Sequence, residues 1–428
     1  MMACCDSSDA LSLEAAQSRL AALPRVCEVE SVALADGLGR ILAEPVVSTV
    51  NVPAFDNSAM DGYAVRLADL AGSSSLLLAG KVFAGQPFTG QLFTEEWPAG
   101  HCIRIMTGAP LPAGADAVVM QEQTRVEPLT DGGECIHFSA NAVAGQNIRR
   151  QGEELQPGMP VLTAGVRLTA RELPLLATLG QASVRVYRRL RVAFFSSGDE
   201  LRAVDSELAP GQIVDSNRYA IAALLARMGC EALDLGIIPD DKALLRQAFL
   251  RADAEADVLI TSGGVSVGEA DYTKEILAEL GEVEFWKVAI KPGKPFACGQ
   301  LTRAARGCWF FGLPGNPVSA LVTFVLLVRS ALDQLMGAQP RPVLRLPARL
   351  AMPVRLSPGR IDFQRGIAEL AADGQLQVSS AGGQGSAMFS ALSRANCLVR
   401  LDSQRYPEQR ELPAGTCVEI QLFDEVLQ

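Results

Sequence analysis

The sequence holds only two histidines, His101 and His137, and none of its ten cysteines forms a C-x-x-C pair. Those cysteines are scattered at positions 4, 5, 27, 102, 135, 230, 298, 308, 397 and 417. So little metal-ligand spacing argues against a zinc site, and reduced thiols in a cytosolic protein are the simpler reading. Long apolar runs are also missing: none reaches the ~18 uninterrupted residues of a membrane-crossing helix. The N-terminus, MMACCDSSDALSLEAAQSRL, lacks the basic head and apolar core of a secretory signal, and its first residues read as a disordered tail. No repeat or low-complexity tract is present. An excess of positive charge is lacking too. The formal net charge is −10, which argues against a general nucleic-acid binder. It leaves room for a small anion held by a local lysine cluster.

What is there is the balance of a folded protein, 49 % hydrophobic and 20 % charged. A chain of 428 residues is too long for one core, so about two to four domains are expected. Leu13, Ala16, Leu20 and Leu23 recur at helical spacing, which predicts an opening amphipathic helix ending near Pro24. Residues 48–158, rich in Gly, Val, Thr and Pro, predict a β-rich segment with runs such as Ala117–Met120. From about residue 186 a βα rhythm sets in. Val192–Phe195, Leu235–Ile238, Val258–Ile260 and Cys308–Leu313 read as strands. Between them lie the helical patterns of Ile221, Leu224, Leu225 and Met228 and of Leu244, Leu245 and Phe249, and a long apolar helix runs to about Leu335. Such alternation implies a parallel sheet, with ligands at the carboxyl ends of its strands. After a Pro-rich linker the last stretch reads as a small β domain, with runs at Gln375–Val378 and Cys417–Leu422.

Four of the strand-end loops carry polar groups that packing does not require. Ser196-Ser197-Gly198-Asp199-Glu200 offers backbone N–H groups to an anion and acids to a metal, although a capped polar loop looks the same. Thr261-Ser262-Gly263-Gly264, running on to Gly268 and Asp271, reads as a phosphate cradle or a plain βα connection. Its Asp271 could bind Mg²⁺ or cap the following helix. Lys287, Lys291 and Lys294 stand among apolar residues and prolines, an unusual setting for a solvated face and a means of converging ammonium groups on one anion. Gly312-Leu313-Pro314-Gly315-Asn316-Pro317-Val318-Ser319 is a rigid turn into a helix N-terminus. In the β-rich segment, Asp61-Gly62 and Arg149-Arg150-Gln151-Gly152-Glu153-Glu154 are turn signals with no specific message alone.

Jointly, NSAMDGYAV, RIMTGAP, GQNIRRQGEEL, SSGDEL, GIIPDD, TSGGVSVGEADY, KVAIKPGKP and GLPGNPVS, in this order, resemble the MoeA family of molybdopterin molybdenumtransferases, related to the E domain of gephyrin. The resemblance covers the chain from about residue 10 to its C-terminus. It implies a multidomain α/β fold: a molybdopterin-binding-type α/β parallel-sheet domain (9–28 and 186–337), a β-rich insert (48–158), a discontinuous linking domain (29–47 and 159–185) and a C-terminal small β domain (338–428). It implies a homodimer whose active site lies between the α/β domain of one subunit and the insert of the other. The implied activity is insertion of molybdate into adenylylated molybdopterin with release of AMP, in the cytoplasm, with Mg²⁺ as cofactor. A molybdopterin adenylyltransferase is the implied donor, and neither nucleic acid nor membrane is a partner.

By similarity, Asp61, Glu154, Glu200, Asp240 and Asp271 match the family's functional acids, and Lys287 and Lys291 its lysines. Glu200, Asp240 and Asp271 would hold the metal. Lys291, Lys294, Pro295 and Ser319 look like the pocket for molybdate or the terminal phosphate, with Arg365 and Ser386 from the last domain beside them. Thr107, Ser197, Gly198, Ser262, Gly263, Gly264 and Asn316 complete the implied substrate-binding set. The chain departs from the family pattern in two places: Glu154 replaces the usual Asp and Ser197 the usual Thr, each keeping its functional group. The adenylylating enzymes of the preceding step share the TSGG and PGNP-like loops but lack the insert. A scaffold role, as in gephyrin-type relatives, would call for a fused domain or long linker that this sequence does not show.

Overall fold

The structure is a computed structural model that describes residues 10–85, 97–139, 141–264, 272–304, 306–424 and 427. The chain divides into two compact units. One comprises Met1–Glu44, Ala164–Ala170 and Ser183–Gln428; the other comprises Pro45–Thr163 and Arg171–Ala182.

The smaller unit is built on a six-stranded sheet in the order Ala117–Met120, Gly62–Val65, His101–Ile105, Ser75–Val82, Glu134–Phe138, Thr124–Pro128. Both faces are covered. Tyr63, Val65, Cys102, Val119 and Ile136 pack on one, and Ala64, Ile103, Ile105 and Val118 on the other. Burial on both sides explains why Ala117–Met120 is continuously apolar instead of alternating. Gly62 faces Gly-only space: a Cβ there would overlap the Val119 carbonyl of the neighbouring strand. Beside the sheet, Asn57–Ser58 pairs antiparallel with Ile148–Arg149, which ties the NSAMDG segment to the GQNIRRQGEEL segment.

The larger unit opens with the helix Leu13–Leu20, capped by Ser12, whose Oγ accepts from the Ala15 N–H at 3.1 Å. Its buried face, Leu13, Ala16 and Leu20, joins the main core. At the centre is a six-stranded sheet. In chain order its elements are β1 (Arg191–Ser197), α1 (Asn217–Met228), β2 (Glu231–Ile238), α2 (Lys242–Glu255), β3 (Val258–Ser262), α3 (Tyr272–Leu280), β4 (Gly281–Lys287), β5 (Pro295–Leu301), β6 (Cys308–Leu313) and α4 (Pro317–Met336). The spatial order is β2-β1-β3-β6-β5-β4. The first four strands are parallel, as the βα rhythm predicts. The last two are antiparallel, and they form a hairpin-like edge that the sequence reading left out. The lysine-rich segment is therefore the connection between the edge strand β4 and its neighbour β5.

Helix α4 is long and apolar enough to cross a membrane by length and composition, but 78 % of its apolar window is buried within the protein. It is the core helix on which Leu13, Ala16 and Leu20 pack. Its middle, Phe324–Val328, is a π-helical turn, a form that often marks functional regions. The C-terminal strands Ile361–Leu370, Leu376–Ser380, Arg345–Leu350, Cys417–Leu422 and Cys397–Asp402 pair in that order, and the last pairs back with the first. This closes a small barrel without free edges. Ile290–Lys291 adds to it in parallel with Ile361 and Asp362.

Candidate functional site

The carboxyl ends of β1, β3 and β6 bring three of the four sequence loops together. Ser197, at the end of β1, is buried against Gly263 and Gly264, which follow β3. Both glycines have positive φ, +92° and +68°. A Cβ on Gly263 would stand 2.6 Å from the Ser197 carbonyl oxygen, and one on Gly264 2.7 Å from Thr273 Oγ1. The loop thus takes a left-handed path at close quarters that only glycine tolerates. Gly315, next to Asn316, packs on Gly263 from the β6 side.

One side chain fastens this arrangement. Asn217, the first residue of α1, is buried and donates from Nδ2 to Ser262 Oγ at 2.6 Å and to the Gly315 carbonyl at 2.6 Å. The amide therefore cross-links the β3 and β6 loops, and the buried Asp215 carboxylate accepts from its N–H at 3.1 Å. Around it, Asn217 Oδ1, Thr261 Oγ1 and Ser196 Oγ are buried and have no hydrogen-bond partner among the described residues. Unpaired buried polar atoms are costly and concentrate where a ligand or water completes them. In the sequence this helix shows only through the spacing of Ile221, Leu224, Leu225 and Met228. Asn217 does not stand out there, because Asp215-Ser216-Asn217 looks like an ordinary helix start.

Glu200 and Asp240 flank these loops and are exposed. The Glu200 carboxylate lies over Gly198, where a Cβ would meet Oε2 at 2.5 Å. Asp240 donates its N–H to Asp199 Oδ1 at 3.1 Å, which couples the two acidic loops. Asp271 lies outside the described residues. Among the described residues no cluster of three or more His, Cys, Asp or Glu could hold a metal ion. Carboxylate oxygens are nonetheless the hard donors that suit Mg²⁺.

The lysine segment meets the barrel. Lys287 is exposed at the end of β4, in register with Pro295. The Lys294 carbonyl accepts from the Val288 N–H at 2.8 Å. Lys291 projects from the short strand and donates from Nζ to Ser357 Oγ at 2.8 Å and to Asp362 Oδ2 at 3.3 Å. Asp362 is only 3 % exposed and also accepts from Ser357 Oγ at 2.9 Å and Gln364 Nε2 at 3.3 Å. One of the predicted anion-binding lysines is thus already paired with a buried carboxylate that no motif singles out. Gly293 turns at φ +106°, its Cβ position filled by Thr323 Oγ1 of α4, which has no hydrogen-bond partner among the described residues.

Ser319, Arg365 and Ser386 gather at the N-terminus of α4. The Val318 N–H donates to the Ser386 carbonyl at 3.0 Å. Arg365 is 1 % exposed and donates from Nη2 to the carbonyls of Gly383 and Gly385 at 2.9 and 3.0 Å. Burial lowers its pKa from the ordinary arginine value. Its guanidinium therefore first shapes the glycine-rich loop carrying Ser386; its Nε is buried with no partner among the described residues.

In the smaller unit Asp61 and Thr107 form a local pair. Asp61 Oδ1 accepts from the Thr107 N–H and from Thr107 Oγ1, both at 2.7 Å. The Thr107 backbone bond, its hydroxyl and nearby Arg104 hold the Asp61 carboxyl below its ordinary value of 3.8. Glu154 is exposed, and its N–H donates to the Val52 carbonyl at 3.0 Å. The preceding loop is fixed through Asp56, which accepts from Arg150 Nη1 at 2.6 Å and from the Gln151 N–H at 2.7 Å.

Comparison with known proteins gives one consistent result. Residues 11–180 match the MoeA N-terminal region (domain I and II), residues 194–334 a probable molybdopterin binding domain, and residues 347–423 the MoeA C-terminal region (domain IV). The chain is 48 % identical over 419 residues to a molybdopterin molybdenumtransferase of Haemophilus influenzae, covering 97 % of this chain and 100 % of the relative. A relative of the same name from Nostoc is 42 % identical over 316 residues, covering 72 % of this chain and 70 % of its own. Among solved structures, a molybdopterin biosynthesis MoeA protein from Pyrococcus horikoshii aligns with a TM-score of 0.78 at 27 % identity, covering 97 % of this chain and 100 % of that one.

Proposed function

Because the chain belongs to the MoeA family of molybdopterin molybdenumtransferases, we propose that it inserts molybdenum from molybdate into adenylylated molybdopterin and releases AMP. The observation that carries this reading is the meeting of the Ser197, Ser262–Gly264 and Gly315 loops on Asn217, over buried polar atoms that have no partner among the described residues. The loops offer backbone N–H groups and hydroxyls at strand ends, the chemistry a phosphate or pyrophosphate needs.

The substrate is an anion and molybdate a dianion, so bringing them together is electrostatically costly. Lys287, Lys291 and Lys294 would offset that repulsion, with Pro295, Ser319, Arg365 and Ser386 completing the oxyanion pocket. Arg365 does so chiefly by shaping the loop of Ser386, to which its bonds already run. Glu200, Asp240 and Asp271 would hold Mg²⁺, which supplies charge neutralisation at the pyrophosphate when bound. Asp61, set by Thr107, and Glu154 would enter from the smaller unit of a second subunit in a homodimer. The reading further includes a cytoplasmic setting, in keeping with eight free described cysteines, and an adenylyltransferase that supplies the substrate.

The test is reconstitution: protein, adenylylated molybdopterin, molybdate and Mg²⁺, with AMP and active cofactor measured. Release of AMP only when molybdate is present supports insertion. ATP-dependent conversion of free molybdopterin, with no response to molybdate, would move the chain to the adenylylating step.

A further inference from the structure

In the smaller unit, the strand Gly62–Val65 that follows Asp61 lies between His101–Ile105 and Ala117–Met120. Tyr63 pairs with Arg104 on one side and with Val119 on the other. Side chains directly opposite across strands, or two apart along one strand, share a face. The register therefore puts Asp61, Tyr63, Arg104 and Gln121 on one face at one end of the sheet. The Gln121 N–H donates to the Asp61 carbonyl at 3.0 Å, which holds the two turns together.

The contacts follow the register. The Arg104 guanidinium lies over the Tyr63 ring, 4.9 Å from its centroid, and donates from Nη2 to Gln121 Oε1. Arg104 thus crosses the central strand beside Asp61. Tyr63 is only 3 % exposed, so its ring is a fixed platform. A planar guanidinium stacked on an aromatic face and bonded to an amide is held in one orientation. Neither partner is an anion, so they position the group without neutralising it. Asp61 is engaged through one oxygen. Oδ1 takes both Thr107 bonds, from the N–H and the hydroxyl, which fills its lone pairs. Oδ2 has no hydrogen bond among the described residues. The Thr107 N–H and hydroxyl, with the Arg104 charge nearby, hold the Asp61 carboxyl below its ordinary value, so it is ionised near neutral pH. An anionic acceptor and a cationic donor are therefore fixed side by side on a half-buried face. Such a pair matches the edge of a planar heterocycle whose N–H donors adjoin a carbonyl oxygen, as charged side chains read base edges.

We propose that Arg104 is a further substrate-binding residue, which with Asp61 clasps the pterin ring edge of adenylylated molybdopterin. Asp61 Oδ2 accepts from the ring N–H and the exocyclic amino group, and Arg104 donates to the ring carbonyl oxygen. This role presupposes the molybdenum-insertion reading and gives the smaller unit a task that needs no contact with molybdate. The adenine of the same substrate has an amino group but no ring N–H beside it, so its edge uses one of the two lone pairs on Oδ2.

Equilibrium dialysis of the full chain, anaerobic and without molybdate, tests it with three ligands: adenylylated molybdopterin, molybdopterin and AMP. Arg104→Gln should weaken binding of the first two about tenfold, the loss of one hydrogen bond to a charged group. AMP binding should not change, and its retention shows that the variant is folded. Arg104→Lys keeps the charge without the planar fork and should lose less. In the AMP-release assay Arg104→Gln should raise the half-saturating concentration of adenylylated molybdopterin and leave that of molybdate unaltered. A merely structural role would not separate the two. Wild-type affinity for both pterin compounds that Arg104→Gln leaves intact overturns the proposal alone. So does a loss confined to AMP, which would give the pair to the adenine. Equal loss of all three ligands in both variants marks a structural residue and overturns it too. Failure of the wild type to bind adenylylated molybdopterin at all removes the insertion reading, and this role with it.

Discussion

Lys291→Ala separates the two duties of this residue, one toward the fold and one toward the anion. In the structure its Nζ lies 3.3 Å from Asp362 Oδ2. The gross attraction at that distance is about 5 kcal/mol for an effective dielectric constant of ~20. Lys291 is 46 % exposed, so water screens most of it and the net contribution is about 1 kcal/mol. Asp362 is not orphaned in the variant, since Ser357 Oγ and Gln364 Nε2 still donate to it. The expected fall in stability is therefore about 1 kcal/mol, near 2 °C in melting temperature for a protein of this size. The loss in molybdate-dependent AMP release should be far larger, about 100-fold, because a cation at a developing charge is removed. Calorimetry and the AMP assay read the two effects separately. Asp362→Asn keeps the shape and loosens the lysine; it should raise the half-saturating molybdate concentration with little change in maximal rate. A destabilisation near 4 kcal/mol, the mark of an uncompensated buried charge, would refute the screening argument. Unchanged AMP release would remove Lys291 from the pocket.

Three further outcomes follow from the geometry. Thr107→Val deletes the hydroxyl donor to Asp61, so the Asp61 carboxyl should move up toward its ordinary 3.8, read by NMR titration. Because the folded value is depressed, the stabilisation it gives is complete above 3.8 and is lost as pH falls through the folded value; a titration unmoved by the substitution would contradict this. Asn217→Ala leaves Ser262 Oγ and the Gly315 carbonyl without their amide donor. It should cost about 1–3 kcal/mol in denaturant unfolding and depress AMP release, whereas a neutral result would deny the cross-link. Gly263→Ala forces a Cβ to 2.6 Å from the Ser197 carbonyl at φ +92°. Strain of about 1–3 kcal/mol and loss of substrate binding are expected, and full binding would show that the loop is not the cradle.

The parts of this protein that were legible in its sequence are those written in local pattern. Leu13, Ala16 and Leu20 announce a helix because their spacing matches one helical face, and that face is the buried one. Val258–Ile260 and Cys308–Leu313 announce central strands because both faces are buried, which leaves a continuous apolar run. The antiparallel strands Gly281–Lys287, at the sheet edge, and Pro295–Leu301 beside it did not announce themselves. Glu282, Glu284, Phe285 and Lys287 are exposed, so the first strand lacks a clear apolar alternation. The closure of the C-terminal barrel, made by Ile361–Leu370 with Cys397–Asp402, is a long-range pairing that no local window contains. At the site, the glycines and lysines stood out by type. Asn217, Ser357 and Asp362 did not, because their importance lies in partners 45, 98, 66 and 71 positions away.

The central claim is most directly tested by a single-turnover reaction with adenylylated molybdopterin and no ATP, in which AMP and cofactor-bound molybdenum are quantified from the same quenched samples. Both should appear together, in equal amounts, and both should vanish when molybdate is omitted. AMP release that proceeds unchanged without molybdate, or molybdenum uptake with the adenylyl group intact, would contradict it.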